Sequence, residues 1–170
     1  MFWALANDQD HYLSRVNAFV ALAPVANMAH VDMTLKFGVN LMGVAQYIAE
    51  KNHFYSLFNP EEMSLSDLGK TGKVLLGFVN MMSHAFLGHE PDPKESSTKE
   101  AWHYGQIIKH DGVFAEYSQD NDVPGKPIPL ENIDKMPIWL FCGTEDPLAT
   151  YQDNLTNRAA LGNVKKLTLK

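Results

Sequence analysis

The stretch MPIWLFCGTEDPLA, residues 136–149, runs from an apolar segment into two adjacent acidic residues. Its apolar part, Pro137 to Gly143, predicts a strand buried in a parallel sheet, because such strands are almost continuously apolar. Asp146 follows at the carboxyl end of that strand, where catalytic side chains gather in open α/β sheets. An aspartate before a proline, here Pro147, is also typical of a helix start. Local chemistry therefore leaves two roles open for Asp146 and favours the helix cap.

The segments at both ends of the chain predict helices alternating with buried strands. RVNAFVALAPVA (15–26) predicts a strand buried on both faces of the sheet, and MFWALAND (1–8) predicts the tail of a helix before it. TYQDNLTNRAALG (150–162) predicts a helix with Thr150 as its cap, Asp153 three residues on and Gly162 as its stop. NVKKLTLK (163–170) alternates like the beginning of a strand. This order predicts an α/β fold, and a chain that opens in mid-helix and closes in mid-strand is expected to be a fragment.

The middle of the chain has a different pattern. Apolar residues recur there every three or four positions, which predicts helices: Met33, Phe37, Leu41, Val44 and Ile48. The polar, proline-marked segment from Gly88 to Glu100 is expected to be an exposed loop. We therefore divide the chain into an α/β part at 1–26, a helical cap insertion at 27–116 and a second α/β part at 117–170.

Composition excludes several classes of function. The chain has 170 residues, 45% of them hydrophobic, and a formal net charge of -6, which argues against nucleic-acid binding. No apolar run approaches the roughly 20 residues that a membrane-spanning helix needs. The single cysteine, Cys142, excludes an internal disulfide and is expected to be a small buried residue. The triplet Asn154-Leu155-Thr156 is a glycosylation sequon, though such triplets are frequent by chance.

Motif searches give no metal or cofactor site. GKTGK (69–73) lacks the spacing of a phosphate-binding loop, and the seven histidines show no metal-ligand spacing. Ser83 and His84 are adjacent, so on a helix their side chains diverge and a nucleophile and base pair is not expected. The Met-rich segment FVNMMSHAF (78–86) could line an apolar ligand groove, but a helix face packed on the core is the favoured interpretation.

Three ordered blocks resemble the acid lipase family of α/β-hydrolases, the gastric and lysosomal acid lipases. They are FVALAPVA (19–26), WHYGQIIKHDGVFAEYS (102–118) and PIWLFCGTEDPLATYQD (137–153). Within them Leu22 to Ala26 match the family's "LAPVA" strand end, and Gly143 to Asp153 match its "GxxDxLAxxxD" turn. His103 to Gln106 match its "HWxQ" motif, with Tyr104 where the family often has Trp.

The resemblance implies a partial α/β-hydrolase fold and a serine ester hydrolase acting on triglycerides or steryl esters. It assigns Asp146 as the catalytic triad acid, leaves Glu145 as a solvated neighbour, and implies no cofactor. The cap would form the acyl-chain site and contact a lipid surface. The resemblance also implies a secreted or lysosomal protein, although the cap lacks the cysteines of mammalian-type members.

The catalytic machinery of the family is incomplete in this sequence. No G-x-S-x-G nucleophile elbow occurs, and the triad histidine would follow the strand that residues 163–170 begin. We therefore expect the chain alone to be inactive. The alternative is a non-catalytic remnant of an α/β-hydrolase that acts as a structural or interaction subunit.

Overall fold

The computed structural model describes residues 1–51, 56–57, 96–120 and 122–161. These residues form four α-helices, four strands and one short 3-10 helix. In chain order the elements are α1 (Phe2–Leu13), β1 (Phe19–Leu22), α2 (Met33–Lys51), β2 (Ser56–Leu57), β3 (Ser96–Ser97), α3 (Thr98–Lys109), the 3-10 helix (Leu130–Asn132), β4 (Ile138–Phe141) and α4 (Tyr151–Ala160).

The two predicted buried strands pair with each other. β1 and β4 form a two-stranded parallel sheet, in which Phe19 lies opposite Ile138 and Leu22 opposite Phe141. A parallel pair with helices between its strands confirms the predicted α/β class in its coarse form. β2 and β3 form a separate antiparallel pair.

Only one face of this sheet is fully buried. It packs in the core through Phe19, Ala21, Ile138 and Leu140. On the other face Val20 is 54% and Leu22 74% exposed, and their neighbours Trp139 and Phe141 are half-buried. The prediction that β1 is buried on both faces was therefore wrong. Continuous apolar character cannot distinguish a covered sheet face from an uncovered one, since it records side-chain chemistry and not the neighbours.

Helix α1 covers the buried sheet face and continues beyond the predicted helical tail. Its backbone breaks at Asp8 (φ −150°, ψ 68°), and the Asp8 carboxylate accepts a hydrogen bond from the His11 N–H at 3.2 Å, which caps the second helical piece. Gln9 then donates to Asp134 Oδ1 at 2.8 Å and accepts the Met136 N–H at 3.0 Å. These bonds join α1 to the segment that leads into β4.

The predicted helical spacing in the middle of the chain is confirmed by α2, which packs against α3. The two helices come very close where Gly105 meets Met42. A Cβ at Gly105 would lie 1.9 Å from the Met42 Sδ, so a larger residue there would require the flexible end of that methionine to move. Met33, Phe37 and Val44 lie on the opposite, exposed side of α2.

Several predictions concern residues outside the described ranges. These are the GKTGK segment, Ser83 and His84, the Met-rich segment at 78–86, Gly162 as a helix stop, and the strand at 163–170. The expected loop from Gly88 to Glu100 ends early, because β3 and the first turn of α3 occupy 96–100. The division into an α/β part and a cap stays a prediction. None of the described helices is long and apolar enough to cross a bilayer.

Candidate functional site

Asp146 lies in the loop that follows β4, at the carboxyl end of the parallel sheet. Its Oδ1 accepts hydrogen bonds from the backbone N–H groups of Leu148 at 2.9 Å and Ala149 at 2.8 Å. Its Oδ2 makes no hydrogen bond to the described part of the chain. The carboxylate is half-buried, whereas Glu145 beside it is exposed, as expected. Asp146 is thus oriented through one oxygen and retains a second acceptor.

The helix that follows does not begin at Asp146. Thr150 is its N-cap, with the Thr150 Oγ1 accepting the Asp153 N–H at 3.1 Å, and α4 starts at Tyr151. The predicted Thr150 cap is therefore confirmed, and Asp146 with Pro147 as the start of α4 was wrong. Asp146 closes a separate turn over residues 147–149, because short aspartate side chains readily accept N–H groups two and three residues ahead.

The carboxyl end of β1 lies beside the Asp146 loop. The Ala23 N–H donates to the Phe141 carbonyl at 2.6 Å, which extends the pairing by one residue. Ala23 then adopts a left-handed conformation with φ 46°, a strained conformation for a residue with a Cβ. The chain turns sharply there and leaves the sheet, and residues 27–30 then run to α4 and to the segment after α3.

Asp153 holds this second loop in place. It is 1% exposed, and its carboxylate accepts the Ala29 N–H at 3.0 Å, the His30 N–H at 3.0 Å and the Thr150 hydroxyl at 2.8 Å. The His30 Nδ1 also lies 2.8 Å from Asp153 Oδ1, while the His30 side chain is 50% exposed. A buried carboxylate is tolerated because all these donors converge on it.

A second set of hydrogen bonds fastens the same loop to α4 and to the chain after α3. Asn27 donates through its side chain to Asn157 Oδ1 at 2.7 Å and accepts the Phe114 N–H at 3.1 Å. The Met28 N–H donates to the Gly112 carbonyl at 2.8 Å. Gly112 has φ 71°, and a Cβ there would lie 2.2 Å from the Ala29 nitrogen, so this approach requires glycine.

The motif residues His103 and Gln106 on α3 bind the segment that follows their own helix. His103 Nε2 lies 2.8 Å from the Ala115 carbonyl. The Gln106 amide donates to the Ser118 carbonyl at 2.8 Å and accepts the Ser118 N–H at 3.0 Å. Both side chains therefore position the 113–118 segment, which in turn contacts Asn27.

Electrostatics near Asp146 affect the only cysteine. Cys142 is 3% exposed, which agrees with its predicted burial. Burial raises the pKa of the Cys142 thiol, and the negative charge of Asp146 raises it further. The thiol is thus protonated and shielded at neutral pH. Among the described residues no group of three His, Cys, Asp or Glu side chains is arranged to bind a metal ion.

Asp146 was identified from the sequence, but the buried polar network centred on Asp153 was not. Asp153 was noted as the third residue after a helix cap and as the end of a motif match, without a structural role, and Asn27, His30 and Asn157 were not singled out. One signal was available: Asp153, Asn154 and Asn157 recur at helical spacing on a face that otherwise should be apolar. Buried polar residues on a short helix indicate that it packs against backbone donors.

No model of a known protein family matches this chain, and no match is found among curated proteins.

Proposed function

We propose that this chain supplies the triad acid and the acyl-binding cap of a serine ester hydrolase that cleaves triglycerides or steryl esters. One observation carries the proposal. Asp146 lies past the carboxyl end of β4 with Oδ1 fixed by two backbone N–H groups and Oδ2 without a partner in the described residues. This is the arrangement that a carboxylate needs in order to orient a histidine.

Spatial proximity of the three resembling blocks supports the proposal. The first and third blocks pair through β1 and β4. Asp153 at the end of the third block binds the loop that follows the first, and Phe114 in the second block donates to Asn27 in that loop. Blocks separated by up to about a hundred residues are thus joined by direct hydrogen bonds.

The chemistry of such a site assigns Asp146 a limited but essential task. The Oδ2 atom would accept the imidazole N–H of a histidine, fix its tautomer and stabilise the imidazolium that forms when a serine loses its proton. The sequence has no nucleophile elbow to supply that serine. Under this proposal the serine and the histidine come from residues beyond those printed here, and the isolated chain has no esterase activity.

The test uses the complete reading frame that encodes this chain. We expect Asp146→Asn to lower the turnover of a short-chain p-nitrophenyl ester by about 10⁴-fold, because the amide presents an N–H where the histidine needs an acceptor. The Asn Oδ1 still accepts from Leu148 and Ala149, so the melting temperature should not change. Glu145→Gln is the matched control, since Glu145 is adjacent and exposed.

Two results would contradict the proposal. One is Asp146→Asn turnover within tenfold of the parent, which would leave Asp146 with only its turn-closing role. The other is a reading frame without a G-x-S-x-G segment before residue 1 or without a histidine after residue 170.

A second candidate, a non-catalytic structural or interaction subunit, is favoured by one observation. Val20 and Leu22 expose an apolar sheet face that a stable complex would cover. Two observations together distinguish the candidates: how the purified chain unfolds, and what the reading frame encodes. Cooperative unfolding of the 170-residue chain, combined with a frame that encodes no nucleophile elbow, would favour the subunit.

A further inference from the structure

Helix α4 carries two fully buried asparagines, Asn154 and Asn157, and each has one polar side-chain atom left over. Both residues are 0% exposed. Asn154 Oδ1 and Asn157 Nδ2 make no hydrogen bond to any residue that the structure describes. Buried polar atoms in folded proteins are nearly always hydrogen-bonded, so two such atoms on one short helix indicate a ligand that binds them.

The orientation of the Asn154 amide is fixed by its other polar atom. Asn154 Nδ2 donates to the Ala149 carbonyl at 2.9 Å and to the Thr150 carbonyl at 3.1 Å. Turning the amide over would place Oδ1 against two carbonyl oxygens, which accept hydrogen bonds and cannot donate them. The atom left over on Asn154 is therefore an acceptor.

Asn157 is fixed in the same way by Asn27. Asn157 Oδ1 accepts the backbone N–H of Asn27 at 3.0 Å and its side-chain Nδ2 at 2.7 Å. The Asn27 amide cannot be turned over either, because its Oδ1 accepts the Phe114 N–H at 3.1 Å. The atom left over on Asn157 is therefore a donor.

We propose that one buried water molecule binds between these two side chains, donating to Asn154 Oδ1 and accepting from Asn157 Nδ2. Residues three apart on a helix have Cβ atoms about 5–6 Å apart. One water spans such a gap with two hydrogen bonds of about 2.7–3.0 Å. Internal waters typically bind polar groups that the protein itself leaves unsatisfied. The inference does not depend on the proposed function.

The opposite character of the two atoms favours water over an ion. A cation bound at Asn154 Oδ1 would meet the positive end of the Asn157 N–H dipole, and an anion bound at Asn157 Nδ2 would meet the Asn154 oxygen. Water donates and accepts through one atom, so it satisfies both groups at once. Because both residues are fully buried, the smallest molecule with this property fits best.

The water would connect two hydrogen-bonded networks. On one side Asn154 binds the Ala149 carbonyl, while the Ala149 N–H binds Asp146 Oδ1. On the other side Asn157 binds Asn27 in the loop after β1. The bridge makes one continuous chain of hydrogen bonds from the turn that Asp146 closes to that loop. Its exchange with solvent is expected to be slow, since departure of the water breaks a bond at each end.

Water-to-amide NOE spectra of the ¹⁵N-labelled 170-residue chain test the site. We expect the Asn157 side-chain amide to show a cross-peak to water with the sign of a long-lived contact, and rotating-frame spectra distinguish this signal from chemical exchange. The Asn7 side-chain amide is the internal control, because Asn7 is exposed and its hydration water exchanges fast. A crystal structure should show ordered density within about 3.2 Å of both atoms.

Asn154→Leu tests whether the two residues share the water. It removes the acceptor, so the long-lived water signal at Asn157 should be lost. Thr156→Leu is the matched control, since Thr156 is exposed on the opposite side of the same helix and its substitution should leave the signal unchanged. A signal that persists in Asn154→Leu would overturn the bridge. If that variant does not fold, the spectra and the crystal structure of the native chain decide the question.

Two results on the native chain would also overturn the proposal. One is a protein group that satisfies both atoms, including a direct hydrogen bond from Asn157 Nδ2 to Asn154 Oδ1. The other is a crystal structure without density between the two side chains, together with spectra in which Asn157 shows no more contact with water than Asn7.

Discussion

Replacing Asp153 by alanine is expected to be one of the most destabilising single changes in this chain. The Asp153 carboxylate is 1% exposed and receives the Ala29 and His30 N–H groups, the His30 imidazole and the Thr150 hydroxyl. Alanine leaves all of these donors without an acceptor. It therefore detaches residues 29–30 from α4 and weakens the start of that helix.

The size of the stability loss follows from the number and kind of hydrogen bonds that Asp153 accepts. An unsatisfied, part-buried donor costs about 1–3 kcal/mol, and bonds to a charged group are at the upper end of the usual range. Because the bonds share one acceptor they do not add fully, and breaking a buried polar cluster typically costs about 3–5 kcal/mol. We expect Asp153→Ala to lower the free energy of unfolding by about that amount. For a chain of this length this corresponds to a melting temperature lower by roughly 10 °C.

Urea denaturation followed by circular dichroism measures this change. His30→Ala should cost only about 1 kcal/mol, since the exposed imidazole is lost but the His30 N–H keeps its acceptor. Asp10→Ala is the matched control, because the Asp10 side chain is 78% exposed and, among the residues that the structure describes, pairs with Lys135 alone at the surface. If Asp153→Ala lowered the free energy of unfolding by less than about 1 kcal/mol, the network would be refuted, because an ordinary substitution costs about that much.

Three other predictions concern single residues. Gln106→Ala should lower the free energy of unfolding by about 2 kcal/mol and speed hydrogen exchange at the Ser118 amide, because that amide loses its acceptor; unchanged exchange would contradict the contact. Asn154 should carry no glycan when the chain is secreted from a glycosylating host, since it is 0% exposed and its amide donates to the carbonyls of Ala149 and Thr150; a mass loss on N-glycanase treatment would contradict this burial. Cys142 should react with iodoacetamide at pH 8 far more slowly in the native chain than in urea, because burial shields the thiol and raises its pKa; equal rates would show that the thiol is accessible.

The secondary-structure elements that sequence analysis placed correctly are those with strong local signals. The strand at Ile138–Phe141, the Thr150 cap and the long helix from Met33 all depend on residues that are near one another in the chain. The main error at the site, the prediction that Asp146 starts α4, also came from neighbouring residues. Asp146 followed by Pro147 has the residues of a helix start, yet α4 begins at Tyr151 with Thr150 as its cap, and Asp146 instead accepts the N–H groups of Leu148 and Ala149.

Features that depend on distant residues could not be predicted from spacing. The 3.6-residue periodicity of α2 identifies an apolar side of a helix, but it does not say whether that side is covered; Phe37 and Val44 prove to be exposed while Gln46 is buried. Likewise Asp153 is an ordinary first-turn acid in the sequence. Its importance arises only because the loop after β1 returns to it with two backbone N–H groups.

The sequence by itself determined the α/β class, the two parallel strands, the burial of Cys142 and the position of Asp146 after a strand. These follow from hydrophobic periodicity and capping chemistry, which act over a few neighbouring residues. Only the tertiary structure decided that Val20 and Leu22 on one face of the β1–β4 sheet are exposed, and that Asp146 closes a turn with one oxygen that no described residue binds. It also decided that Asp153 is the buried acceptor of a loop more than 120 residues away in the chain. Burial and hydrogen-bond satisfaction depend on which distant segments meet, and no local pattern records that.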